Sequence, residues 1–336
     1  MANYTGIQGQ NILIVSSDPA NPTEGQIWYN STSNLLKGYA NVIVNAWASG
    51  GNMNTGRESL GGTGTQTAAL AFAGGTVPTY STATESYNGS SWTSLNPVNT
   101  GRGIFGSAGT QGASFMFGGQ LPSTNQSQAT ENWNGTSWSN GNNYPVFGYH
   151  RATGTQTAAI TIIGQTSPDG NPGSPQVFPA GANTYNGTSY TSSASYNTGR
   201  RFGGIAGIQT AALAFGGQAP GSSPDISAAT ESWNGTSWTT LSNLNQNRTA
   251  LAGAGLQTAA LAFGGNNDGP TQYSNTELWN GTSWTANPTG LATARSFLAG
   301  AGTQTAGIAF GGNVSPKAQT EEWTGQAIQV RTITTS

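Results

Sequence analysis

The chain has 336 residues, a formal net charge of −2 and only 7% charged residues. That balance offers no electrostatic basis for binding nucleic acid or for insertion at an anionic membrane. There is no cysteine, which removes disulfides and thiolate metal sites, and no apolar run approaches the roughly 18 residues of a membrane-spanning helix.

The N-terminus has neither a basic start nor a long apolar stretch, so no signal peptide is expected. Residues 11–15 read as a short strand, and residues 16–24, with Pro19 and Pro22, as a turn-rich connector. Residues 26–30 and 35–39 flank the polar residues 31–34, the pattern of a β-hairpin. The stretch Gly25-Gln26-Ile27-Trp28-Tyr29-Asn30-Ser31-Thr32-Ser33-Asn34-Leu35-Leu36-Lys37 resembles a module of tailed-bacteriophage structural proteins, often found near the N-terminus of tail-fibre and related virion proteins. The resemblance implies that residues 1–41 form an arm that docks onto other virion proteins, with Ile27, Trp28, Tyr29, Leu35 and Leu36 as docking residues.

From about residue 42 the chain repeats. One copy, residues 248–284, reads Arg248, a small apolar run, Gln257-Thr258, then Ala259-Ala260-Leu261-Ala262-Phe263-Gly264-Gly265. A Pro/Gly-rich loop follows, then Glu277-Leu278-Trp279-Asn280-Gly281-Thr282-Ser283-Trp284. Six such copies at a spacing of about 45 residues, all strand-like, point to propeller blades of four strands each. The first Gly of the doublet, or its equivalent, is Gly74, Gly118, Gly164, Gly216, Gly264 and Gly311, and the first aromatic is Tyr87, Trp133, Tyr185, Trp233, Trp279 and Trp323. The second aromatic is Trp92, Trp138, Tyr190, Trp238 and Trp284, but Ile328 in the last copy.

Trp47 stands as far before Thr55-Gly56-Arg57 as Trp92 stands before Thr100-Gly101-Arg102. It occupies the place of a last strand whose blade is otherwise missing. The expectation is ring closure, with residues 42–48 completing the sixth blade from the other end of the chain. The alternative is that residues 327–333 supply that strand and Trp47 packs outside it.

The Asn-Gly pair after the first aromatic is a strong hairpin signal, because both residues tolerate positive φ. In residues 258–263, Ala259, Leu261 and Phe263 share one face and Thr258, Ala260 and Ala262 the other, so a bulky face can fill against the small face of the next blade. Arg57, Arg102, Arg200, Arg248 and Arg295 each stand nine residues before the repeat's Gln, and Glu85, Glu131, Glu231, Glu277 and Glu321 each two before the first aromatic. The third copy replaces both, with Phe147 and Asn183. Their joint loss implies that Arg and Glu form structural ion pairs, either within a blade or across neighbouring blades.

Arg, an apolar strand ending in Gly-Gly, an aromatic, a hairpin and a Trp together resemble the Kelch repeat. The resemblance covers residues 42–336 and implies an all-β fold: a six-bladed Kelch-like β-propeller preceded by the hairpin-containing arm. Kelch-type propellers include both binding modules and enzymes, so function must come from a site.

The loop between the second and third strands varies most in length, and it holds most of the prolines, among them Pro172, Pro175 and Pro224. Variation on a constant scaffold marks a recognition surface. Its candidate binding residues are Tyr80, Leu121, Asp169, Phe178, Asp225, Asp268 and Tyr273. Catalysis is not expected: His150 is the only histidine, no metal-ligand cluster exists, and no cofactor motif is present. Asp169, Asp225 and Asp268 are the only candidates for paired carboxylates of a glycosidase. The expected function is a virion structural protein, exposed on the particle, whose propeller binds a host surface receptor, a glycan or a protein. The alternatives are a structural connector or decoration protein, or an extracellular lectin or polysaccharide-active enzyme outside virions.

Overall fold

The computed structural model describes residues 12–23, 25–76, 78–123, 125–171, 173–174, 177–220 and 225–333, with backbone only at 40–43 and 326–331. Among the described residues all regular structure is β, with no helix. Residues 1–11 of the expected arm, and Pro172, Pro175 and Pro224 of the variable loops, lie outside the described residues, as do the side chains of Val42 and Ile328.

The chain forms two compact units, Met1–Asn45 with Thr324–Ser336, and Ala46–Trp323. Sequence reasoning placed the division after residue 41 and kept the C-terminus with the repeats. In the first unit, Leu13–Val15 pairs parallel with Ile27–Asn30, which pairs antiparallel with the start of Leu35–Ser49. Asp18 ties this unit together. Its carboxylate accepts hydrogen bonds from Trp28 Nε1 (3.1 Å) and Asn30 Nδ2 (2.8 Å) and pairs with Lys37 Nζ at 2.7 Å. Lys37, then Asn30 and Trp28, hold that carboxyl down at about 2. Trp28 is fully buried, so of the expected docking residues it belongs to the interior. Ile27 and Leu35 are exposed, and Tyr29 and Leu36 are half-buried.

In the second unit five antiparallel sheets of four strands follow one another in chain order. The first contains Gly61–Thr65, Ala68–Phe72, Thr84–Tyr87 and Trp92–Leu95, and the second Gly106–Gly109, Ser114–Phe117, Thr130–Trp133 and Trp138–Gly141. The third has Tyr149–Thr155, Ala158–Gln165, Ala182–Tyr185 and Tyr190–Ser193, and the fourth Gly204–Ile208, Ala211–Phe215, Thr230–Trp233 and Trp238–Leu241. The fifth has Ala252–Leu256, Ala259–Phe263, Thr276–Trp279 and Trp284–Ala286. The sixth takes Ala299–Gly302, Ala306–Phe310 and the beginning of Thr320–Thr332, with the end of Leu35–Ser49 as its next strand. First strands neighbour one another in cyclic order, from Gly61–Thr65 through each successive sheet to Ala299–Gly302, which neighbours Gly61–Thr65 again. This arrangement is compatible with a β-propeller.

Packing follows the two-faced second strand. Leu261 and Phe263 of the fifth sheet pack with Ala309 and Trp323 of the sixth, while Ala260 and Ala262 pack with Leu213 and Phe215 of the fourth. Burying one such aromatic contributes roughly 4–6 kcal/mol gross, at about 25 cal/mol per Å². The repeat's Gln joins consecutive sheets. Gln257 Nε2 donates to the carbonyls of Ala212 (3.2 Å) and Trp233 (2.5 Å) in the preceding sheet, and Gln66 does the same to Gly307 and Trp323. Each Gln amide thus gives a partner to two backbone carbonyls of the preceding sheet.

The Asn-Gly sequence forms the expected hairpin connection between third and fourth strands. Only the Gly takes positive φ, as at Gly89 (φ 91), while Asn88 Oδ1 accepts hydrogen bonds from the backbone N–H groups of Ser90 (3.0 Å) and Ser91 (2.9 Å). The loop spans four residues between the paired Tyr87 and Trp92, and the Asn side chain closes it as an Asx turn. A two-residue turn needs positive φ at both positions; four residues relieve the Asn of that demand.

Candidate functional site at the loop face

The five Arg–Glu couples meet within their own sheets. The distances are 2.8 Å for Arg57–Glu85, 2.8 Å for Arg102–Glu131, 2.6 Å for Arg200–Glu231, 3.1 Å for Arg248–Glu277 and 3.0 Å for Arg295–Glu321. All ten side chains are buried. Each carboxylate also accepts backbone N–H groups from the segment before the first strand, as Glu85 does from Asn54 and Thr55. The pair thus pins the start of a sheet to its third strand. In the third sheet a neutral network stands there: Asn183 Nδ2 donates to Tyr144 Oη (2.9 Å), which lies 3.1 Å from Thr161 Oγ1.

Two residues after each of these arginines the backbone enters the left-handed region, at Ser59 (φ 53), Ile104 (φ 57), Phe202 (φ 57), Ala250 (φ 53) and Phe297 (φ 53). Such positions cost about 1–3 kcal/mol each and are held only where the surroundings fix them. Here backbone bonds link them in series. Ile104 N donates to Ser59 O (3.1 Å), Ser59 N to Phe297 O (2.8 Å), Phe297 N to Ala250 O (2.9 Å) and Ala250 N to Phe202 O (2.8 Å). Ser59, Ile104, Ala250 and Phe297 line a cavity of about 110 Å³ enclosed by the first strands of the sheets. Four of the five strained residues therefore stand at its rim, and Phe202 is joined to them through the Ala250 N–H.

An aromatic row leads from this rim, at Phe297, to the adjoining crevice lined by Phe202 and Tyr149. Tyr149 stacks on Phe202 at 5.9 Å, and Phe202 meets Phe297 edge-on at 5.5 Å. The Arg201 guanidinium lies over Phe202 at 4.6 Å and over Phe178 at 5.6 Å. Arg201 Nε donates to Gln218 Oε1 at 2.6 Å, and its Nη1 to Gln165 Oε1. Gln218 Nε2 in turn donates to Asp268 Oδ2 at 2.6 Å. Gln165 replaces the second Gly of the doublet, and this substitution puts an amide within reach of Arg201.

Of the residues anticipated from the sequence, Phe178 and Asp268 come together here through Arg201 and Gln218. Tyr80 lies at the first two sheets, its hydroxyl donating to Gln120 Oε1 at 2.8 Å, and burial pushes it up to about 12. Leu121 follows Gln120 and is half-buried. Asp169 is exposed but turned into its own loop, where it accepts from the Asn171 N–H (3.0 Å) and Ser174 Oγ (2.8 Å); these bonds lower its pKa. Asp225 is exposed and its charge acts on Arg201. Tyr273 is half-buried, and its backbone carbonyl accepts from Arg295 N at 3.2 Å. The arginines and rim aromatics Arg151, Arg201, Phe202 and Phe297 escaped sequence reasoning. The departure of Arg151 and Arg201 from the otherwise paired arginine pattern was the available signal.

Among the described residues no cluster of three or more His, Asp or Glu side chains is placed to hold a metal ion. No protein-family model matches the chain, and no curated protein is similar to it.

Proposed function

We propose that the unit Ala46–Trp323 is a six-bladed Kelch-like β-propeller, closed by the strand around Trp47, and that the chain is a bacteriophage virion protein whose loop face binds a host surface saccharide. The cyclic neighbour order of the first strands and the six-fold Gln contacts support the ring. The resemblance of residues 25–37 supports the virion reading.

One observation carries the saccharide reading: a row of aromatic rings at a concave rim, bordered by planar polar groups that are already oriented. The apolar C–H face of a sugar ring stacks on aromatic rings, while its hydroxyls need paired donors and acceptors of the kind that Gln, Arg and Asp supply. Oriented Gln218 and Arg201 side chains have little rotamer freedom left to lose on binding.

The test uses the full-length protein with Phe178→Ala and Phe297→Ala variants. Host-cell binding is expected to fall in both while the melting curve is kept. Unchanged binding by both variants overturns the assignment to this face. Purified particles labelled with an antibody against residues 55–325 address the virion reading. Label at a tail, fibre or capsid surface supports it. Particles without the protein overturn it and leave a free lectin, and loops covered by neighbouring subunits make it a connector.

A further inference from the structure

Seven arginines are buried or half-buried in the repeat unit, and two of them, Arg151 and Arg201, form no ion pair among the described residues. The other five each have a glutamate. The two exceptions are adjacent in space: both line a crevice with Tyr149, Phe202 and Gly203 where the third and fourth sheets meet.

Arg151 is anomalous in its own strand. By pairing register its place is taken by Gly61, Gly106, Gly204, Ala252 and Ala299 in the other sheets, opposite a phenylalanine in each, whereas Arg151 lies opposite Ile162. The arginine stem fills volume left by the smaller Ile162, which accounts for a long side chain but not for a charge. Its Nε donates to Gly203 O at 3.1 Å and its Nη1 to His150 O at 2.9 Å. Nη2 has no protein partner among the described residues. Desolvation alone pulls this guanidinium down to about 10. Arg151 also lines the cavity inside the rim, and no carboxylate contributes to that lining. Asp268 and Asp225 act on Arg201 through space, and Asp268 also accepts from Gln218, but neither carboxylate forms an ion pair with Arg201 or Arg151 among the described residues.

A desolvated cation without a counter-ion is costly, and proteins keep one where an anion arrives. The cavity of about 110 Å³ admits one small oxyanion with a few waters, since a water needs roughly 10–15 Å³. We propose that Arg151 binds the carboxylate of an acidic saccharide in this cavity, with Arg201 adding positive charge from the adjoining crevice. The charge complementarity stands on the two arginines; the saccharide as its source rests on the function proposed above. Arg151 presents its Nη2 N–H groups to the carboxylate, and Phe297, which lines the same cavity, offers a face to the ring that bears it.

The test is calorimetric titration of the full-length protein with glucuronate, acetate and glucose at constant ionic strength, repeated for Arg151→Met and Arg151→Lys. Glucuronate is expected to bind saturably and more tightly than acetate or glucose. Arg151→Met should weaken it at least about tenfold, the loss of a charged hydrogen bond, and Arg151→Lys should restore part of that. Acetate binding as tightly as glucuronate, with the same dependence on Arg151, keeps the anion site and removes the saccharide. Glucose binding as tightly as glucuronate, unaffected by Arg151→Met, overturns the anion site and keeps the saccharide reading. Absence of glucuronate binding by the wild-type protein overturns the proposal whether or not the variants fold.

Discussion

Trp47 Nε1 donates to Thr276 Oγ1 at 2.8 Å, across 229 residues of chain. The same bond joins Trp92 to Thr320 (3.0 Å), Trp138 to Thr84 (2.9 Å) and Trp284 to Thr230 (2.9 Å). In every case the last-strand tryptophan of one sheet reaches the threonine that opens the third strand of the preceding sheet. Trp47 behaves as the last-strand tryptophan of the sixth sheet, and its ring lies 4.9 Å from Phe263 and 5.4 Å from Trp323.

Trp47→Ala is expected to cost about 3 kcal/mol, the low end for truncating a packed aromatic. Thr276→Val should cost about 1 kcal/mol, and a double-mutant cycle of Trp47→Phe with Thr276→Val should show coupling of similar size. Urea unfolding of the four proteins measures it. Strict additivity would mean that this bond does not couple the fifth and sixth sheets.

Trp238 breaks the series. Its Nε1 is buried without a partner, because the position of the threonine is taken by Ala182, which packs in the same cluster. Ala182→Thr is expected to stabilise the protein by about 1 kcal/mol by supplying the missing acceptor. Thermal unfolding checks this, and a lowered melting temperature would show that the third sheet has no room for the hydroxyl.

Glu277→Gln should destabilise by about 3–5 kcal/mol, because it strands the Arg248 guanidinium in an apolar interior. Burial already pulls that guanidinium down to about 10, against the pull of Glu277. Replacing both partners, as Arg248→Met with Glu277→Leu, should recover most of the loss. Equal destabilisation in the single and double variants would assign the cost to lost packing and backbone bonds instead of to the stranded charge.

His150 is buried against Phe117 and Tyr144, with neither ring nitrogen in hydrogen-bond geometry. Desolvation, helped by the charge of Arg151, holds it down from 6.5 to about 3, and the Val146 backbone opposes this. Between those values the unfolded chain takes up a proton that the folded protein refuses. Stability contributed by this group is therefore complete above 6.5 and is lost as pH falls toward 3, by at most about 1.4 kcal/mol per pH unit. His150→Leu places the residue found at this register in Leu60, Leu251 and Leu298. Its stability should fall less between pH 6 and pH 4 than that of the wild type, read by urea midpoints at each pH. Parallel pH profiles would show that the imidazole is not kept neutral.

Much of the molecule is legible in its sequence because its information is local and repeated. Strand alternation over residues 258–263 is read from neighbours two apart, and six copies average out single departures. The joint replacement of Arg and Glu in the third copy even revealed which long-range partners meet. Less was legible at the loop face. Sequence reasoning could name Phe178 and Asp268 as loop residues, but Arg201 and Gln218, which join them, come from different turns of the repeat.

The sequence by itself determined the all-β character, the repeat, and that the recurring Arg and Glu are partners, since these depend on side-chain period and on chemistry recurring at fixed spacing; that each pair closes within its own sheet came from the tertiary structure. Tertiary structure alone decided what happens where the pattern fails. Trp47 finds Thr276, while Trp238 finds no hydroxyl. Five arginines find a glutamate and Arg151 finds none. Partnership across sheets depends on which backbones approach within hydrogen-bond reach, a distance of about 3 Å that no spacing along the chain encodes.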